Sequence, residues 1–156
     1  MRMNSETNEK QLENLRPRCH VGFSIIGSSL DLDGISVAMN QSSARTVRAG
    51  TKTVLGPQIG DVWSISSPIG PLRPLEEHLD WLHSQIEPHV SYLADLSGAA
   101  HARVYIGFTL SQEQNGFAIS PEHIRLFSRI NAMVEMYIIV NFGDDSEEVN
   151  GQVAQT

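Results

Sequence analysis

Apolar positions along this chain fall into two periods, and their alternation lays out a sequence of strands and helices. Cys19, Val21, Phe23 and Ile25 alternate with polar or small residues, which predicts a first strand over Cys19 to Ile26. Gly27-Ser28-Ser29 breaks it before Leu30-Asp31-Leu32-Asp33-Gly34-Ile35, a helix-start signature. Asp31 is suited to accept bonds from the first free N–H groups, Asp33 sits where the helix dipole favours an acid, and Leu30 with Ile35 has the spacing of a hydrophobic staple. The helix is expected to run to about Met39. The same pattern returns in Ile119-Ser120-Pro121-Glu122-His123-Ile124, with Ser120 as the cap and Pro121 in the first helical position. Both an ancient duplication of a strand–helix unit and independent arrival at good capping chemistry account for the repeat.

Between these two signatures, Gln41 to Gly60 is polar and punctuated by glycine, with a short strand expected around Thr51 to Leu55. Asp61 to Ser66 alternates again and is ended by Pro68. Leu75, Leu79, Leu82 and Ile86 form one apolar stripe at helical spacing. Pro88 must break or kink that helix, because it lacks a donor and its ring clashes with the preceding turn. A second segment continues through Val90, Leu93 and Leu96 to Gly98. Arg103 to Leu110 reads as a strand and Asn115-Gly116 as a tight turn leading to Phe117 to Ile119. The Ser120 helix carries Ile124, Phe127 and Ile130. The final strand, Met133 to Phe142, has an unbroken apolar run at Tyr137 to Val140, which predicts a central position covered on both faces. The expected architecture is a single α+β domain over residues 18–142, a mainly antiparallel sheet with helices packed on one face.

The flanks read differently. Residues 1–17 lack a strand pattern and residues 143–156 are acidic and rich in small side chains, so both are expected to be disordered tails. Together they hold three of the eleven Lys and Arg and seven of the eighteen Asp and Glu, so much of the net charge of -7 lies outside the domain. The body remains mildly acidic, which disfavours nucleic acid as a partner. No apolar run approaches the ~20 residues needed to cross a bilayer, and the polar N-terminus has no secretory pattern. A single cysteine, Cys19, excludes an internal disulfide. A cytoplasmic protein is the expectation.

The ordered features have a family likeness. The first strand, then Leu30-Asp31-Leu32-Asp33-Gly34-Ile35, a basic segment ending at Gly50, Trp63, Leu75-Glu76-Glu77-His78-Leu79 with Leu82 and Pro88, and Gly116-Phe117-Ala118-Ile119-Ser120 before the closing strand resemble the bacterial family catalogued as domain of unknown function 4279. The likeness covers roughly residues 20–142 by pattern rather than by a catalytic motif. It departs after the first helix, where Asn40-Gln41-Ser42-Ser43 stands in place of a Leu-Gly-type ending. The resemblance implies a bacterial, cytoplasmic, single-domain α+β protein and brings no activity.

Candidate chemistry is sparse. Arg45-Thr46-Val47-Arg48-Ala49-Gly50-Thr51-Lys52-Thr53 is the most concentrated basic stretch of an acidic body, and Arg45, Arg48 and Lys52 on one loop are the candidate binding residues for a phosphate or carboxylate. It is no nucleotide loop, since both glycines that the P-loop pattern requires are missing. No two of His20, His78, His83, His89, His101 and His123 have a zinc-motif spacing, and Cys19-His20 alone cannot build a tetrahedral site. His83 and Glu87, four apart, read as a surface pair. There is no G-x-S-x-G, Glu76-Glu77 is explained by the helix dipole, and Trp63 and Trp81 read as core before groove. No catalytic residue, metal or cofactor is expected. The leading expectation is a non-enzymatic protein-interaction domain of immunity-type or regulatory role, with another protein as partner and neither nucleic acid nor membrane. The alternative is a small-molecule anion-binding protein, or a small enzyme, using Arg45, Arg48 and Lys52.

Overall fold

A computed structural model describes residues 17–110 and 117–140. The expected tails and the Asn115-Gly116 turn lie outside the described residues. Five strands form the main sheet: β1 (Arg18–Gly27), β2 (Arg45–Val47), β5 (Asp61–Ser66), β6 (Ala100–Leu110) and β7 (Met133–Val140), in the spatial order β2-β5-β1-β6-β7. The pairs β1–β5, β1–β6 and β2–β5 are antiparallel, and β6–β7 is parallel. Two short strands, β3 (Lys52–Thr53) and β4 (Gly56–Pro57), make a separate hairpin where one strand over Thr51 to Leu55 was expected. The helices are α1 (Leu32–Ala38), α2 (Leu75–Ile86), α3 (Val90–Leu96) and α4 (Pro121–Arg129), with a 3-10 turn at Glu87–His89 where Pro88 stops α2. The expected α+β domain, mainly antiparallel with its helices on one face, is what the chain forms.

Alternation decides which face is buried. Cys19, Val21, Phe23 and Ile25 of β1 are buried, in register with Phe108, Ile106, Val104 and Ala102 of β6. On the other side Phe23 and Ile25 meet Ile65 and Trp63 of β5. Onto this face α2 lays its whole stripe: Leu75, Leu79, Leu82 and Ile86 are all buried, as are Val90 and Leu93 of α3. Trp63 is fully buried and its indole N–H donates to Ser36 Oγ on α1 at 2.9 Å, so it is a core residue with a satisfied polar edge.

Both helix-start signatures act as caps. Asp31 accepts from the Gly34 N–H at 2.9 Å, and Ser120 from the His123 N–H at 3.3 Å. Gly34 leaves room for this cap, since a Cβ there would push against the Asp31 carboxylate. The two helices also share an exit. Asn40 and Asn131 adopt left-handed backbone (φ 51° and 49°), and the bonds Gln41 N–H to Ser36 O and Ala132 N–H to Phe127 O close each helix in a Schellman motif. Asn40 thus does the work of the glycine missing from the expected Leu-Gly ending.

Two expectations fail. Ile124 does not join the buried stripe of α4 but is exposed, and His123 takes its place beside Leu126 and Phe127. More consequentially, β7 is not central. It is an edge strand, paired only with β6 among the described residues, and Met136, Tyr137, Ile138, Ile139 and Val140 are all exposed. An unbroken apolar run marks a strand; it does not fix that strand's place in the sheet.

Candidate functional site

The basic segment does not stay one loop. Arg45 begins β2, Arg48 follows that strand, and Lys52 begins β3. All three are exposed, but their circumstances differ. Arg48 is committed: its Nη1 donates to the Leu30 carbonyl at 2.7 Å and to Asp61 Oδ2 at 3.1 Å. No acid among the described residues pairs with Arg45 or Lys52.

The centre of this corner is Asp61, which is not among the candidate residues of the basic segment. It is buried at the start of β5, and its carboxylate accepts from the Ala49 N–H (2.9 Å), the Leu30 N–H (2.9 Å) and Arg48. The Ala49 N–H first, then the Leu30 N–H and the Arg48 guanidinium, hold its carboxyl below the usual carboxylate range against the opposing effect of burial. The arrangement ties the residue before α1, the turn after β2 and the start of β5 to one side chain. An acid opening an alternating apolar strand, as in Asp61-Val62-Trp63-Ser64-Ile65, was the available signal.

The turn held by Asp61 leads into the β3–β4 hairpin, which is anchored by Gly50 N–H to Gln58 O (2.7 Å) and Gln58 N–H to Thr51 O (2.9 Å). Thr53 Oγ1 donates to the Gly56 carbonyl across the tip, where Gly56 takes a positive φ of 113°. This arm carries Val54, Leu55 and Ile59, whose exposures of 104%, 99% and 98% make them the barest large apolar side chains described.

A second cluster joins α2 to α4. Ser120 Oγ lies 2.8 Å from His123 Nδ1, and His123 Nε2 lies 3.1 Å from Asp80 Oδ1. Packing alone brings these three residues together. A hydrolytic triad needs a shielded acid, a hydroxyl free to attack and donors for the oxyanion. Here the acid is the exposed member, the histidine is buried, and the serine already caps α4. The chain of contacts clips two helices. His83 stands beside it, 3.7 Å from Glu87 as the i,i+4 spacing predicts, and 3.9 Å from Glu122. Arg129 closes the cluster on Glu87 at 2.8 Å. No group of side chains among the described residues is arranged to hold a metal ion.

Two further titratable groups lie in the interior. His78 is buried with Nδ1 2.9 Å from Ser67 Oγ, and its Nε2 has no hydrogen-bond partner among the described residues. Burial above all lowers its pKa, which disfavours the charged ring. Cys19 lines an apolar hollow of about 420 Å3 together with Leu72, Phe108 and Phe117. Burial pushes its thiol up to about 11, which makes it a poor nucleophile.

No helix among the described residues is long and apolar enough to cross a membrane. No curated protein and no solved structure matches the chain. A family profile does, over residues 17–141, and that span takes in the Asp61 corner, the β3–β4 arm, the α2–α4 clip and every described strand. The chain belongs to the family described as Domain of unknown function (DUF4279).

Proposed function

We propose that this domain acts by binding another protein, and that the β3–β4 arm is the element it presents. The observation that carries this reading is the exposure of Val54, Leu55 and Ile59 on one short arm held by Asp61. Three bare apolar side chains at a hairpin leave water when they enter a pocket, and at ~25 cal/mol per Å2 of apolar surface covered their burial is a real driving force. Lys52 on the arm and Arg45 at the far end of the preceding strand β2 add positive charge to an acidic body. The partner that fits is therefore a protein with an apolar pocket rimmed by acidic side chains. An immunity-type or regulatory role in the bacterial cytoplasm, in which the domain masks its partner, is the concrete version. The test is retention of proteins from a host lysate by the immobilised wild type and by Val54→Ser/Leu55→Ser/Ile59→Ser. A protein held by the first and lost by the second, at equal melting temperature, is expected; identical retention overturns the reading.

A second reading rests on Arg45 and Lys52, the two cations of the basic segment without an acidic partner among the described residues. They would bind a carboxylate or phosphate group of a small molecule. A thermal-shift screen of anionic metabolites separates the two, being silent under the first reading and positive under the second.

A further inference from the structure

We propose that β7 is the interface of a homodimer, in which two copies pair their β7 edges antiparallel about a two-fold axis and merge their sheets into one of ten strands. The proposal is independent of the arm, which follows β2, the opposite edge of the sheet.

The two edges are built differently. A sheet edge exposes unpaired N–H and C=O groups, and chains that stay monomeric guard it with short strands, lysine, proline, bulges or inward charges. The β2 edge is guarded in this way: it is three residues long and opens on the exposed Arg45. Among the described residues the β7 edge has none of these devices. It runs for eight residues, contains no Lys, Arg, Pro or Gly, and keeps a regular register with β6 from Met133 to Val140. Its position explains why its side chains are bare. Val134, Met136, Ile138 and Val140 share the helix side with Val104, Ile106, Phe108 and Leu110 of β6, but α4 packs chiefly on α2 and α3, so the helical layer stops short of the last strand.

This surface suits a copy of itself. A two-fold axis perpendicular to the sheet preserves its faces, so paired residues must share a face, and the axis falls on a residue, Met136 or Tyr137. With either centre the helix-side row pairs apolar against apolar throughout. The one charge of β7, Glu135, lies on the open face and is already engaged by Arg103 at 3.3 Å. With the axis on Met136 it faces the partner's Tyr137, and with the axis on Tyr137 it faces the partner's Ile139, so no like charges meet. Six side chains roughly half exposed leave on the order of 600 Å2 of mostly apolar surface on each copy, from which the pair draws the part turned toward the axis, and the backbone bonds of the new ladder add to it.

The test is the mass of the full chain in solution at tens of micromolar, by light scattering or sedimentation. Twice the chain mass is expected for the wild type and for the arm variant Val54→Ser/Leu55→Ser/Ile59→Ser, and the single-chain mass for Met136→Lys/Ile138→Lys. Should the lysine pair fail to fold, Met136→Cys and Tyr137→Cys replace it: one of the two should link to itself under mild oxidation, because antiparallel partners across the axis come within disulfide reach. Val37→Cys, exposed on α1, should not, and the native Cys19 is buried. A monomeric wild type, or a dimer that survives the lysine pair, overturns the proposal. So does a monomer that dimerises only after residues 141–156 are deleted, since the chain's own end would then be the occupant of the edge.

Discussion

Arg48 and Asp61 form an ion pair at 3.1 Å in which the acid side chain is 6% exposed and the arginine side chain 58%. The asymmetry assigns the roles. The buried carboxylate is the organising member, since two backbone N–H groups also converge on it, and Arg48 covers it from the solvent side. Asp61→Ala would leave the Leu30 and Ala49 N–H groups and Arg48 without their acceptor, so a melting temperature lowered by several degrees is expected. Arg48→Ala should lower it less, and Arg45→Ala and Lys52→Ala should leave it almost unchanged. Thermal melts of the four variants check the order.

The same carboxylate gives a pH dependence of known sign. Its folded pKa lies below the unfolded value of about 3.9. Its contribution to stability is therefore complete above that value and is lost as the pH falls through the folded pKa. The wild-type melting temperature should drop on acidification below about pH 4, and part of that drop should be missing in Asp61→Asn, whose side chain does not titrate. Parallel slopes for the two proteins would show that other carboxylates carry the acid response.

Leu82 sits at the centre of the α2 stripe with no exposed surface. Leu82→Ala should cost about 2–5 kcal/mol, the range for a large-to-small change at a close-packed site. Chemical denaturation with an unchanged m-value is the check.

Ser36 Oγ accepts from Trp63 and donates to the Leu32 carbonyl at 3.0 Å. Ser36→Ala removes the acceptor and leaves a buried indole N–H, a loss of about 1–3 kcal/mol. A blue-shifted tryptophan emission that persists at the lower stability would confirm that the ring stays in place.

Cys19 should be slow to alkylate in the folded protein at pH 8, because it is buried and its thiol is pushed up to about 11. Mass spectrometry should find full labelling once the chain is unfolded.

Much of this architecture is written locally. The caps at Asp31 and Ser120, the α2 stripe, the break at Pro88 and the alternation of β1 and β5 depend on neighbours within a turn or a strand, and each is found where the pattern puts it. What the sequence did not disclose depends on which segments meet. Asp61 became a hub because the turn after β2 and the residue before α1 come to it, from 12 and 31 positions away. Arg48 left the expected basic trio for the same reason. Ser120, His123 and Asp80 converge because α4 packs on α2. The largest difference lies in Tyr137 to Val140, whose apolar run correctly announces a strand yet cannot say which side of the sheet it joins or what will cover it. Periodicity records the strand's own alternation or run of apolar side chains, while its place in the sheet follows from how the whole chain packs. In β7 the two part company: the sequence by itself determined an apolar strand, and the tertiary structure alone decided that the strand stands at the edge, with Met136 and Ile138 bare.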